Sequence, residues 1–167
     1  MSNYPINKIE SIDIEKLRKG VFLWAFHVDK IPPHVGISID GFYFSMKVSD
    51  CDFKLEVETV YQAIQRKKIP SFVVPVKNVG TLGELQDIFR EYGSKIREGE
   101  SCMTPVLQFF GEKEELLLEE LLTKLFQLEK MDVVFGLNLS IDYQRIPFYT
   151  FDQVQIHIQN LKDFKRG

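Results

Sequence analysis

The most regular pattern in the chain is the alternation of apolar and small or polar side chains from His34 to Met46, broken only at Asp40-Gly41. Asp-Gly between two alternating apolar runs signals a two-residue hairpin turn, because both turn positions require positive φ. Closing the turn there pairs Ile39 with Phe42, Ile37 with Phe44 and Val35 with Met46, and a period of two puts all six on one face. His34, Gly36 and Ser38 share the opposite, polar face with Tyr43, Ser45 and Lys47, and Lys47 stands across from His34. The glycine beside the histidine would let another backbone come close.

The remaining pattern divides into short elements without a linker, repeat or low-complexity stretch. Residues 11–19 read as a short helix stopped by Gly20, and Val21 to Phe26 as an aromatic-rich strand. Pro32-Pro33 holds the chain extended on its way into the hairpin. Val57, Val60, Tyr61 and Ile64 have helical spacing, and Arg66 to Lys68 suit the negative end of that helix. Ser71 to Val76 is a strand, in which Pro75 argues for an edge position. Thr81-Leu82-Gly83-Glu84 is a capping box opening a helix that ends at Gly93. Glu114 to Gln127 is amphipathic, with Leu117, Leu118, Leu121, Leu122 and Leu125 as its apolar side, and Val133 to Leu139 reads as a strand. Gln153 to Gln159 alternates like a strand, whereas Thr150-Phe151-Asp152-Gln153 could cap a helix, so both assignments stand for this last element.

Composition narrows the class. A chain of 167 residues with 44% hydrophobic content and 14 Phe is long enough to bury a core as one domain, residues 1–167. A formal net charge of -3 provides no footprint for nucleic acid; the basic clusters at residues 66–68 and in the tail read as solvated helix ends. No signal peptide and no membrane-spanning run are visible, and two cysteines do not make a disulfide framework, so a reducing cytoplasm is expected. No Cys-x-x-Cys or His-x-x-x-His spacing exists and Gly80 and Gly83 lack the Gly-Lys-Ser/Thr of a phosphate loop, so neither metal nor cofactor is expected. His27 and His157 read as exposed side chains, and the Asp50 and Asp52 charges would raise the pKa of Cys51.

Cys102 is the other candidate for chemistry. Thr104-Pro105 makes a good helix start and Gly111 a good stop, which places Cys102 at or just before the positive end of a short helix. Amides and dipole there favour a thiolate, and a histidine partner would favour it further. The competing assignment is a small buried hydrophobe, the common fate of a free cysteine.

A cysteine at a helix start facing a histidine on a strand is the core of papain-type catalysis, and here the histidine comes first in the chain. In Lys19 to Trp24, in His34-Val35-Gly36-Ile37-Ser38-Ile39-Asp40-Gly41 and in Ser101-Cys102, segments spread over about half the chain, the sequence resembles the circularly permuted papain-like proteins. That group includes lecithin:retinol acyltransferase, with the NlpC-type peptidoglycan amidopeptidases as distant relatives. The resemblance implies an α+β fold with an antiparallel sheet packed against helices, Cys102 as nucleophile, His34 as its base and Ser45 in the third, orienting position. The family more often has a second histidine at that third position and an aspartate where Val21 stands. Two functions stay open: a cysteine hydrolase or acyl transferase acting on an amide or ester of a small molecule, peptide or lipid, and a non-catalytic ligand-binding or interaction module on the same scaffold. Oligomeric state is left open by the sequence.

Overall fold

A computed structural model describes residues 9–93, 95–140 and 142–166. The chain forms β1 (Ile9–Glu10), a 3₁₀ turn (Ile14–Arg18), β2 (Val21–Phe26), β3 (His34–Ile39), β4 (Phe42–Met46), β5 (Cys51–Glu56), α1 (Val57–Lys67), β6 (Ser71–Val76), α2 (Leu82–Tyr92), α3 (Met103–Phe109), α4 (Leu118–Gln127), β7 (Val134–Leu137) and α5 (Phe151–Arg166). The seven strands make one sheet in the order β1-β7-β6-β2-β3-β4-β5. All neighbours are antiparallel except β1 and β7, which run parallel, so the α+β class holds while the sheet is mixed rather than purely antiparallel. Among the described residues no helix is long and apolar enough to cross a membrane.

The hairpin has the register its pattern demands. Asp40 (φ 48°) and Gly41 (φ 90°) both take positive φ, and Ile39 opposes Phe42 while Ile37 opposes Phe44. The β3–β4 ladder ends at Ile37–Phe44, yet Val35 and Met46 lie in the same core as Ile37, Ile39 and Phe44. That core is closed by Leu85 and Phe89 of α2, Val106 and Phe109 of α3, and Leu118, Leu121, Leu122 and Leu125 of α4.

The face expected to be polar is instead a second core. Cross-strand pairing puts Phe26 opposite His34, Trp24 opposite Gly36 and Phe22 opposite Ser38, and this face is covered by Leu17 of the 3₁₀ turn and by Val57 and Ile64 of α1. Ser38 and Ser45 are fully buried there. The short side chains read as a solvated face make room for large ones: Trp24 donates its Nε1–H to Ser38 Oγ at 2.8 Å. Gly36 admits not another backbone but a ring, since a Cβ at that position would lie 2.2 Å from the Tyr43 hydroxyl oxygen.

Other boundaries move for local reasons. Pro75 lies on β6, an interior strand between β7 and β2. It is tolerated because β7 pairs only with Ser71–Val73, leaving Pro75 beyond the end of that ladder. α4 starts at Leu118 rather than Glu114, with the Glu120 carboxylate accepting the Leu117 N–H at 3.0 Å. The last element is a helix: Gln153 N–H donates to Thr150 Oγ1 at 3.3 Å and the Thr150 N–H donates to Gln153 Oε1 at 2.8 Å.

Candidate functional site

α3 begins at Met103, earlier than the Thr-Pro signal implies. Ser101 Oγ accepts the Met103 N–H at 3.1 Å and Thr104 Oγ1 accepts the Ser101 N–H at 2.8 Å, so Ser101 caps the helix and Thr104 braces the cap. Pro105 falls within the first turn, where its missing N–H costs nothing. Cys102 is thereby fixed at the helix start, packed against the α2–α3–α4 core.

The backbone amides of Val35, of Cys102 itself and of Met103 act on the Cys102 sulfur in the direction that lowers its pKa. Val35 lies just beyond the end of the β3–β4 ladder, which leaves its amide available to the thiol. The three amides favour the thiolate, but burial outweighs them and pushes the thiol up to about 11. The local features of a low-pKa cysteine are present; the surroundings reverse their effect.

His34 opens β3. Its ring stacks on Phe26 with centroids 5.7 Å apart and planes at 26°, which turns it to the α1 side of the sheet. The α3 helix that carries Cys102 packs on the other side. Burial brings the imidazole down to about 4; Asp52 opposes this, while Lys47 and His27 reinforce it. At neutral pH the thiol and the imidazole are therefore both uncharged.

Ser45 is fully buried and donates its hydroxyl hydrogen to Asp52 Oδ2 at 3.0 Å. The β4–β5 bulge between Tyr43 and Ser45 sets Asp52 opposite Ser45, and Lys47, expected across from His34, instead pairs with Asp52 at 3.0 Å. Asp52 is thus the acidic centre of a small polar group, assigned in the sequence only as a neighbour of Cys51. For Cys51 itself burial is the larger cause of a raised pKa, with Asp52 and Asp50 adding to it.

A cavity of about 320 Å³ lies where these elements meet. It is bounded by the Pro32-Pro33-His34 end of β3, the end of β4, the start of α3, the segment before α4, and α5. Met46, Ile96, Met103, Leu107 and Leu117 make it apolar, and Cys102, Tyr149 and His34 also line it. Lys47, Lys165, Glu115 and the exposed His157 stand among the lining residues as its charged or titratable members. α5 is the roof, although Ile158 is its buried hydrophobic residue and Phe164 on the same helix is 84% exposed. Tyr149 and α5 were not singled out as site residues in the sequence; the Thr150–Gln153 capping pattern was the available signal for the roof. Among the described residues no cluster of three or more His, Cys, Asp or Glu could hold a metal ion.

No protein-family model matches the chain, and neither a curated protein nor a solved structure matches it.

Proposed function

We propose that the protein is a binding module for a small, largely apolar molecule, held in the cavity between the sheet end and α5. The size and apolar lining of that cavity carry the reading, because about 320 Å³ falls within the ~300–1,000 Å³ usual for small-molecule sites. The protonation states support binding over chemistry: a thiol at about 11 and an imidazole at about 4, turned to opposite sides of the sheet, hold no thiolate–imidazolium pair at neutral pH.

The test uses the uncharged dye N-phenyl-1-naphthylamine, which brightens in apolar sites. Saturable 1:1 enhancement in the native chain, abolished by Leu117→Trp, is the expected result. Non-saturable dye binding, or binding indifferent to Leu117→Trp, overturns the reading.

A second reading, a hydrolase or acyl transferase through Cys102, His34 and Ser45, draws support from the amides around the Cys102 sulfur and its place in the cavity wall. Turnover of p-nitrophenyl esters that disappears in Cys102→Ala would favour it over pure binding.

A further inference from the structure

The hydroxyl and thiol groups in the cavity wall share one property. Tyr149, only 5% exposed, accepts the Leu118 N–H on its hydroxyl oxygen at 3.3 Å. Ser101 Oγ accepts from Met103 N–H, Thr104 Oγ1 accepts from Ser101 N–H, and the Val35 amide acts on the Cys102 sulfur. Each of the four already has a backbone amide directed at it. Each also carries a hydrogen of its own, and among the described residues none of these hydrogens is given to an acceptor. Tyr149 is the strongest of these donors and the most deeply buried, and burial raises its pKa, so it remains a neutral O–H. Gln155 and Glu115, which bring acceptor oxygens to the lining, are both exposed.

An apolar cavity whose one buried hydroxyl, that of Tyr149, keeps an unused hydrogen favours an acceptor. A carboxylate would meet those donors but would have to leave water for an apolar site. Of the cations near it, Lys47 is paired with Asp50 and Asp52, and the exposed Lys165 reaches the Ser49 hydroxyl. An uncharged carbonyl oxygen accepts a hydrogen bond without that cost. Building on the binding reading above, we propose that the ligand is an uncharged, predominantly hydrocarbon molecule with a carbonyl oxygen, such as a ketone or ester, and that the Tyr149 hydroxyl donates to that oxygen. The Cys102 thiol is the weaker neighbouring donor.

Displacement of N-phenyl-1-naphthylamine by three chain-matched probes tests this. 2-Undecanone is expected to displace the dye from the native protein at about three- to ten-fold lower concentration than n-undecane, the range one net hydrogen bond provides. Undecanoate is expected to be weaker than the ketone. Tyr149→Phe, shown to be folded by its thermal transition, is expected to bring ketone and undecane to equal potency. Equal potency of ketone and alkane on the native chain overturns the proposal with no variant needed, as does an advantage that survives in Tyr149→Phe. Stronger displacement by undecanoate also overturns it, in favour of an anionic ligand. Each of those results leaves cavity binding standing; failure of the dye to bind removes the binding reading and this one together.

Discussion

The two faces of the β2–β3–β4 sheet differ in how their polar groups are satisfied. On the α1 face the buried polar groups are answered within the chain: Trp24 donates to Ser38, Ser45 to Asp52 and Ser71 to the Ile69 carbonyl, and the Tyr43 ring lies over Gly36. Near the cavity, on the opposite face, hydroxyl and thiol groups have backbone amides directed at them and keep their own hydrogens. The first arrangement is complete within the chain and tolerates little change. The second leaves donor hydrogens unused, and the binding proposal builds on them.

The largest effect expected from this contrast lies on the dense face. Trp24→Ala removes a fully buried indole and strands the Ser38 hydroxyl, and it should cost about 3–5 kcal/mol in urea unfolding. A loss below ~1 kcal/mol would show that this face is less tightly packed than its burial indicates.

Next is the reactivity of the two thiols. A group titrating near 11 exposes roughly a hundred-fold less thiolate at pH 8 than one near 9. Iodoacetamide should therefore modify Cys102 about a hundred-fold more slowly than a small free thiol, and more slowly than Cys51. Rapid Cys102 labelling near pH 7 that slows in His34→Ala would restore the thiolate–imidazolium pair.

Acid stability tests the seat of His34. Its folded value of about 4 lies below the ordinary histidine value of 6.5, so the unfolded chain binds more protons between those limits. The contribution is fully present above pH 6.5 and is lost as pH falls towards 4. It should amount to about 1–3 kcal/mol, allowing for partial exposure of the ring. Urea unfolding of His34→Gln should lack that slope; an unchanged slope would place the pH dependence elsewhere.

The smallest effect belongs to the cavity. Leu117→Trp extends a half-buried side chain into open volume and should change stability by less than about 1 kcal/mol while abolishing dye binding. A large loss of stability would mean that this side of the molecule is packed as densely as the other.

The same contrast explains what could be read from the chain. The hairpin register, the capping box at Thr81 and the end of α2 at Gly93 rest on neighbours a few residues away, so local chemistry specified them. The last element was ambiguous because Gln153 to Gln159 alternates while Thr150 caps; the capping bonds decide for the helix. At Ser38, Gly36 and Ser45 small or polar character pointed to solvent, but those residues make space for Trp24 and Tyr43, whose approach depends on strand pairing and on α1. Cys102 shows the same limit. Its helix start was legible, with the boundary off by two residues, but the burial that sets its pKa comes from elements distant in sequence.

The seat of Tyr43 over Gly36 also constrains how the sequence can change over descent. A Cβ at position 36 would meet the ring of Tyr43 at 2.2–2.6 Å, so alanine there is excluded while the ring stays in place. Exchanging Tyr43 for a smaller residue first leaves a void, a cost the fold can survive, after which alanine at 36 becomes admissible and partly refills it. The reverse order passes through an overfilled core. The two positions therefore behave as one heritable unit with a preferred direction of change, and lineages that differ at residue 36 should differ at residue 43 as well.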